Sequence, residues 1–105
     1  MRSLLRSRPV PAIIGEIEGY VGDALQGWAM LVRAPGIRLS IGYDGRDGFR
    51  ALARADRYRA DLERAGRGDG HLGFLLPPLS PGTVIVAAGG NERATLSWNL
   101  SLIHI

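Results

Sequence analysis

Apolar and polar residues alternate along most of this chain, in short runs broken by Gly, Pro and Asp. Alternation with period two puts successive side chains on opposite faces of an extended segment, so each run reads as a half-buried strand. The first run covers residues 16–21 (EIEGYV), with Ile17, Gly19 and Val21 on one face and Glu16, Glu18 and Tyr20 on the other. Gly22-Asp23 is a turn signal. Residues 26–33 (QGWAMLVR) form a second strand with Trp28, Met30 and Val32 in line, ended by Ala34-Pro35-Gly36. Residues 37–43 alternate most cleanly, with Ile37, Leu39, Ile41 and Tyr43 on one face. Asp44-Gly45 is a favoured hairpin pair, and residues 49–53 are the return strand.

The period then changes. Over residues 56–65 (DRYRADLERA), Arg57 to Asp61 and Arg59 to Glu63 are spaced i,i+4, which supports a short helix. Asp56 suits its N-cap and Gly66 its end. Tyr58 and Leu62 share a helical face and are expected to dock it on a sheet. Gly66-Arg67-Gly68-Asp69-Gly70 must be a loop. Residues 72–77 are a strand with Phe74 buried. Residues 83–88 and 94–98 close the pattern as a hairpin across Gly89-Gly90-Asn91. About seven short strands with one helical insertion predict an all-β fold, an antiparallel sandwich of the immunoglobulin kind.

A chain of 105 residues holds one such domain, assigned to residues 13–99. Residues 1–12 read as a mobile tail carrying Arg2, Arg6 and Arg8. Its apolar stretch is interrupted by Pro9 and Pro11, so it makes neither a signal peptide nor a spanning segment. The cytoplasm is therefore the default compartment. Residues 100–105 (LSLIHI) resemble the translated end of a transposase adapter used in DNA library preparation. They are read as a non-native scar, and His104 is given no functional weight; the alternative is a native apolar strand end.

Charge narrows the partners. The net charge is +3 and all 13 basic residues are Arg. Three of these sit in the tail, leaving a neutral body without the basic stripe that phosphates require, so nucleic acid is not an expected partner. There is no Cys, which removes disulfides, thiolate metal sites and a Cys nucleophile. The body has a single His, His71, and no Gly-x-Ser-x-Gly elbow, so a Ser/His/Asp triad is not expected. Asp44-Gly45-Arg46-Asp47 lacks the rest of a calcium loop. The glycine loop at 66–70 follows a helix instead of preceding one, the wrong order for a phosphate cradle. No catalytic residue, metal or cofactor is expected, and the chain is read as a non-enzyme.

Gly19-Tyr20-Val21, Gly27-Trp28-Ala29 and residues 58–74 (YRADLERAGRGDGHLGF) together resemble a poorly characterised bacterial module attached to glycosyltransferases and other polysaccharide-related proteins. The matching positions are Gly19, Val21, Gly27, Trp28, Ala29, Arg59, Asp61, Leu62, Gly68, Asp69, Gly70, Gly73 and Phe74, within residues 19–77. Gly22 departs from the pattern, which has Asp there; Asp23 follows one place later. The resemblance implies a β-sandwich accessory module that binds glycan or positions a glycan-processing protein. It implies no catalytic residue. A structural spacer or protein-interaction domain without a small ligand is the alternative.

Tyr20, Arg59, Asp61, Asp69 and His71 are the candidate ligand contacts. An aromatic face can stack on a sugar ring while charged neighbours bond its hydroxyls. Gly27, Trp28, Leu62, Gly68, Gly70, Gly73 and Phe74 are the structural part of the motif. The polar residues also admit a scaffold reading. Arg59 and Asp61 would then pair with Asp69 or the loop backbone, and Asp69 would accept amide hydrogen bonds in a turn with Gly68 or Gly70 at positive φ. Exposure of Tyr20 or Trp28 beside Arg59, Asp69 and His71 would favour glycan binding. Burial of both aromatics, with every motif carboxylate internally bonded, would favour the scaffold.

Overall fold

In the computed structural model, which describes residues 11–98, the alternating runs become eight strands and one short helix. In chain order these are β1 (Ile13–Val21), β2 (Ala24–Leu31), β3 (Ser40–Gly45), β4 (Gly48–Arg54), β5 (Arg57–Tyr58), α1 (Ala60–Arg64), β6 (His71–Leu76), β7 (Val86–Gly89) and β8 (Glu92–Thr95). One sheet has the order β1-β2-β6-β5 and the other β4-β3-β7-β8, with every strand pairing antiparallel. Lettered in immunoglobulin fashion, the sheets read A-B-E-D and C′-C-F-G, so the all-β sandwich is present with that topology. An isolated parallel bridge joins Ile17 to Trp98, bringing the first strand against the chain that follows the last. The adapter-like segment at 100–105 lies outside the described residues, as does the tail before Pro11. Among the described residues, no helix is long and apolar enough to cross a membrane.

The inward faces supply the main core. Ile17, Leu25, Ala29, Leu31, Phe74 and Leu76 from one sheet meet Leu39, Ile41, Ile85, Ala87 and Leu96 from the other side. A second cluster lies on the opposite face of β2, where Trp28 and Met30 pack with Leu62 of α1 and with Leu72. β2 is therefore buried on both faces, which is why its sequence is a nearly continuous apolar run.

Several local expectations give way to tertiary pairing. Val21 was expected to share the inward face with Ile17, but it is exposed, because a bulge between Ile17 and Gly19 inserts Glu18 as an extra residue and reverses the alternation. Tyr20 consequently lies opposite Leu25, which is inward. Ile37 falls in a turn ahead of β3, its N–H donating to the Ala34 carbonyl (3.0 Å), and it is partly exposed. The Asp44-Gly45 pair is not the turn. Gly45 pairs with Gly48, so Arg46-Asp47 turns and Asp44 stays in the strand. The expected helix at 56–65 loses its first half. Arg57 and Tyr58 are taken as β5 by the edge of β6, opposite Gly73 and His71, and Arg59 in extended backbone becomes the N-cap in place of Asp56. Leu62 docks as expected, whereas Tyr58 stays half exposed.

Candidate functional site

The motif blocks converge on the face of the first sheet that carries α1. Arg59 leaves the end of β5 and lies across β6 at Gly73, where a Cβ would come within 2.9 Å of the arginine Cδ. Only a residue without a side chain leaves that path open. The guanidinium then forks between two carboxylates. Nε and Nη2 donate to Asp61 (3.1 and 2.7 Å), while Nη1 and Nη2 donate to Glu18 in the β1 bulge (2.5 and 3.1 Å). Gln26 adds a longer contact to Glu18 (3.4 Å). The hydrogen bonds to Glu18 and Asp61 hold the Arg59 pKa above its ordinary range, and the bond from Arg59 holds the Asp61 carboxyl below its own.

The glycine loop is clipped separately. Arg38, between β2 and β3, donates from Nη1 and Nη2 to both Asp69 oxygens (3.3 and 2.8 Å) and from Nη1 to the His71 carbonyl (2.7 Å). The His71 N–H donates to Asp69 Oδ1 (3.0 Å), the amide bond expected of a turn aspartate. Gly68 and Gly70 both have positive φ (52° and 82°). Of the two expected pairings, that with Asp69 is not made, since each clip has its own arginine, whereas Arg59 does meet the loop backbone, its backbone N–H donating to the Gly70 carbonyl (2.8 Å). The His71 ring packs against Tyr58 with centroids 5.0 Å apart, and the Tyr58 hydroxyl donates to Glu63 (2.5 Å).

The remaining motif residues are packed. The Phe74 ring lies on Gly27, where an added Cβ would meet Cζ at 2.6 Å and the Glu16 carbonyl at 2.5 Å. Trp28 is 8% exposed, held between α1 and the Arg67 guanidinium 5.3 Å over its ring. Arg59, Asp61 and Asp69 thus spend their charges on one another and on Glu18 and Arg38. Among the described residues, no three His, Asp or Glu side chains converge as metal ligands do.

Tyr20 lies elsewhere. It is 61% exposed and lines a shallow groove of about 360 Å³ at the open end of the sandwich, between β1, the β6–β7 loop and the chain after β8. The rings of Tyr20 and Trp98 stand 6.2 Å apart at 47°, forming a V-shaped pair. Val84 and Pro81 extend the apolar wall, and Ser80, Thr83 and Thr95 bring hydroxyls to it. Neither Asp69 nor His71 lines this groove. Trp98 had no sequence signal beyond being one of two tryptophans. The parallel bridge at Ile17, with the Ile17 N–H donating to the Ser97 carbonyl (2.9 Å), and the Leu96 N–H donating to the Ile85 carbonyl (2.8 Å) set it beside Tyr20.

The clips carry a pH signature. The Arg38 bond, followed by the His71 amide, holds the Asp69 carboxyl well below its ordinary value near 3.8. A depressed carboxyl stabilises the fold fully above its unfolded pKa and loses that contribution as pH falls through the folded one. Asp69→Asn is therefore expected to lower the urea midpoint at about pH 7 and to differ less from the wild type at about pH 3, the gap closing only as pH falls through the folded value. A constant offset at both pH values would contradict the assignment. No protein-family model, curated protein or solved structure matches the chain.

Proposed function

We propose that this domain is a non-catalytic accessory module of the bacterial surface-polysaccharide kind, binding glycan through the Tyr20–Trp98 groove. The paired, solvent-facing rings carry this reading. Aromatic rings left in water at a concave surface have apolar faces for the C–H side of a sugar and neighbouring hydroxyls for its rim. The motif that suggested a polysaccharide context supplies the scaffold here, and the sugar contacts move from Arg59, Asp61, Asp69 and His71 to the groove. The same arrangement suits a module that holds a polysaccharide near a glycan-processing partner.

A glycan-array screen of the recombinant domain tests the reading. Bound sugars are expected to perturb Trp98 fluorescence, with Trp28 buried and unresponsive. Tyr20→Ala and Trp98→Ala are each expected to weaken binding about tenfold or more, with the denaturation midpoint little changed. Silence across the array, or binding that ignores both substitutions, would refute it. The exposed Val21 and Val84 favour a second reading, a protein-docking spacer. That reading predicts a silent array and a partner protein whose capture is lost in Val84→Asp.

A further inference from the structure

Resting on the glycan reading, we infer that the groove selects neutral sugars and excludes uronic, sialic and sulfated ones. Two observations carry this. First, among the described residues none that lines the groove is charged; its polar side chains are Tyr20, Ser80, Thr83, Thr95 and Trp98. Of the described arginines near the motif, Arg38 and Arg59 are tied to Asp69 and Glu18, and Arg57 lines a different groove. A carboxylate or sulfate entering the Tyr20–Trp98 groove would lose water without gaining a cation.

Second, the Thr83 hydroxyl is an acceptor for any ligand. Its proton is committed to the Ser80 carbonyl (2.7 Å), which can only accept. What remains at Thr83 Oγ1 is acceptor capacity, and the Thr83 N–H donates to the same Ser80 carbonyl (3.1 Å), fixing the turn. A sugar hydroxyl can donate to that oxygen, whereas an ionised carboxylate or sulfate placed there cannot, so an acidic sugar has to present one of its remaining hydroxyls instead. The groove thus combines an apolar V for the ring, an acceptor for a neutral hydroxyl and, among the described residues, no counter-charge for an anion. Its volume is near the low end for small-molecule sites, which suits a short sugar segment or a chain end.

The test uses an array of neutral, uronic, sialylated and sulfated oligosaccharides. Hits are followed by titration against wild type, Tyr20→Ala, Trp98→Phe and the pair Thr83→Val and Thr83→Ser. Neutral oligosaccharides are expected to bind at least about 100-fold more tightly than counterparts in which the C6 hydroxymethyl is oxidised to a carboxylate. Thr83→Val is expected to weaken them about tenfold, Tyr20→Ala similarly, and Thr83→Ser and Trp98→Phe much less. Circular dichroism and the denaturation midpoint confirm that each variant is folded. If acidic sugars bind best and Tyr20→Ala abolishes them, selection of neutral sugars is overturned while glycan binding through the groove stands. If no sugar binds, or binding ignores Tyr20→Ala, both are overturned. A Thr83→Val variant that binds like wild type removes the hydroxyl acceptor and with it the second argument.

Discussion

Arg59→Ala is expected to destabilise the domain by about 2–3 kcal/mol, read as a drop in the urea midpoint with an unchanged slope. The side chains of Arg59 and Glu18 are only 19% and 13% exposed. Removing the arginine leaves Glu18 charged, nearly dry and held by little more than Gln26. Loss of one partner from a fully buried ion pair typically costs about 3–5 kcal/mol, and the water that still reaches this pair sets the lower figure. Asp61 adds little, since its side chain is more than half exposed. Arg59→Lys keeps the charge but not the fork that reaches two carboxylates at once, so it should recover only part of the loss. Arg59→Ala with Glu18→Gln should recover more, because the stranded charge is gone. If both fail to improve on Arg59→Ala, the harm lies in lost packing over Gly73, not in electrostatics.

Gly27→Ala should cost at least as much, about 3 kcal/mol, through crowding. The new methyl would lie 2.5 Å from the Glu16 carbonyl and 2.6 Å from the Phe74 ring. The first neighbour is backbone in a paired strand and cannot retreat without breaking the ladder. The second is 1% exposed and enclosed by the main core. Adding Phe74→Leu should restore part of the lost stability, because the smaller residue vacates the space beside the methyl even as it gives up some apolar contact. A thermal midpoint for Gly27→Ala within a degree or two of wild type would mean that β1 and β2 can part more easily than their register indicates.

The sandwich was legible because alternation and turn residues agree over most of the chain. Leu39, Ile41 and Phe74 all face the core that the pattern assigned them, and Gly22-Asp23 and Gly90-Asn91 both turn where Gly and Asn pointed. Misreadings arose where a distant partner overrides a local preference. Asp56 and the i,i+4 charges favour helix, yet β6 has an unfilled edge, and Arg57 and Tyr58 gain ladder hydrogen bonds by joining it. Asp44-Gly45 carries the right hairpin residues, but the pairing of Tyr43 with Arg50 and Gly45 with Gly48 places the reversal two residues later. The candidate site was half legible. The Arg59, Asp61, Asp69 and Gly73 spacing marked a real convergence, but nothing in the sequence distinguishes charges that bind a ligand from charges that bind each other. Tyr20, placed by alternation with Glu16 and Glu18, is exposed, although the bulge turns it to the opposite face. Its partner Trp98 is 78 positions away in the chain and meets it through long-range contacts to β1 and Ile85, which no short-range pattern encodes.

The extra residue in β1 ties together two regions that otherwise share nothing. Glu18 is the inserted position; it keeps the face on which Arg59 lies, while the same insertion turns Tyr20 to the opposite face and toward the groove. The motif therefore acts as a tension member. By holding the kink in β1, Arg59 holds the wall of a groove that it never touches. Loosening that anchor should blur the aromatic V before it unfolds the domain, so a change in affinity on mutating Arg59 would report on the frame and not on a contact with the sugar.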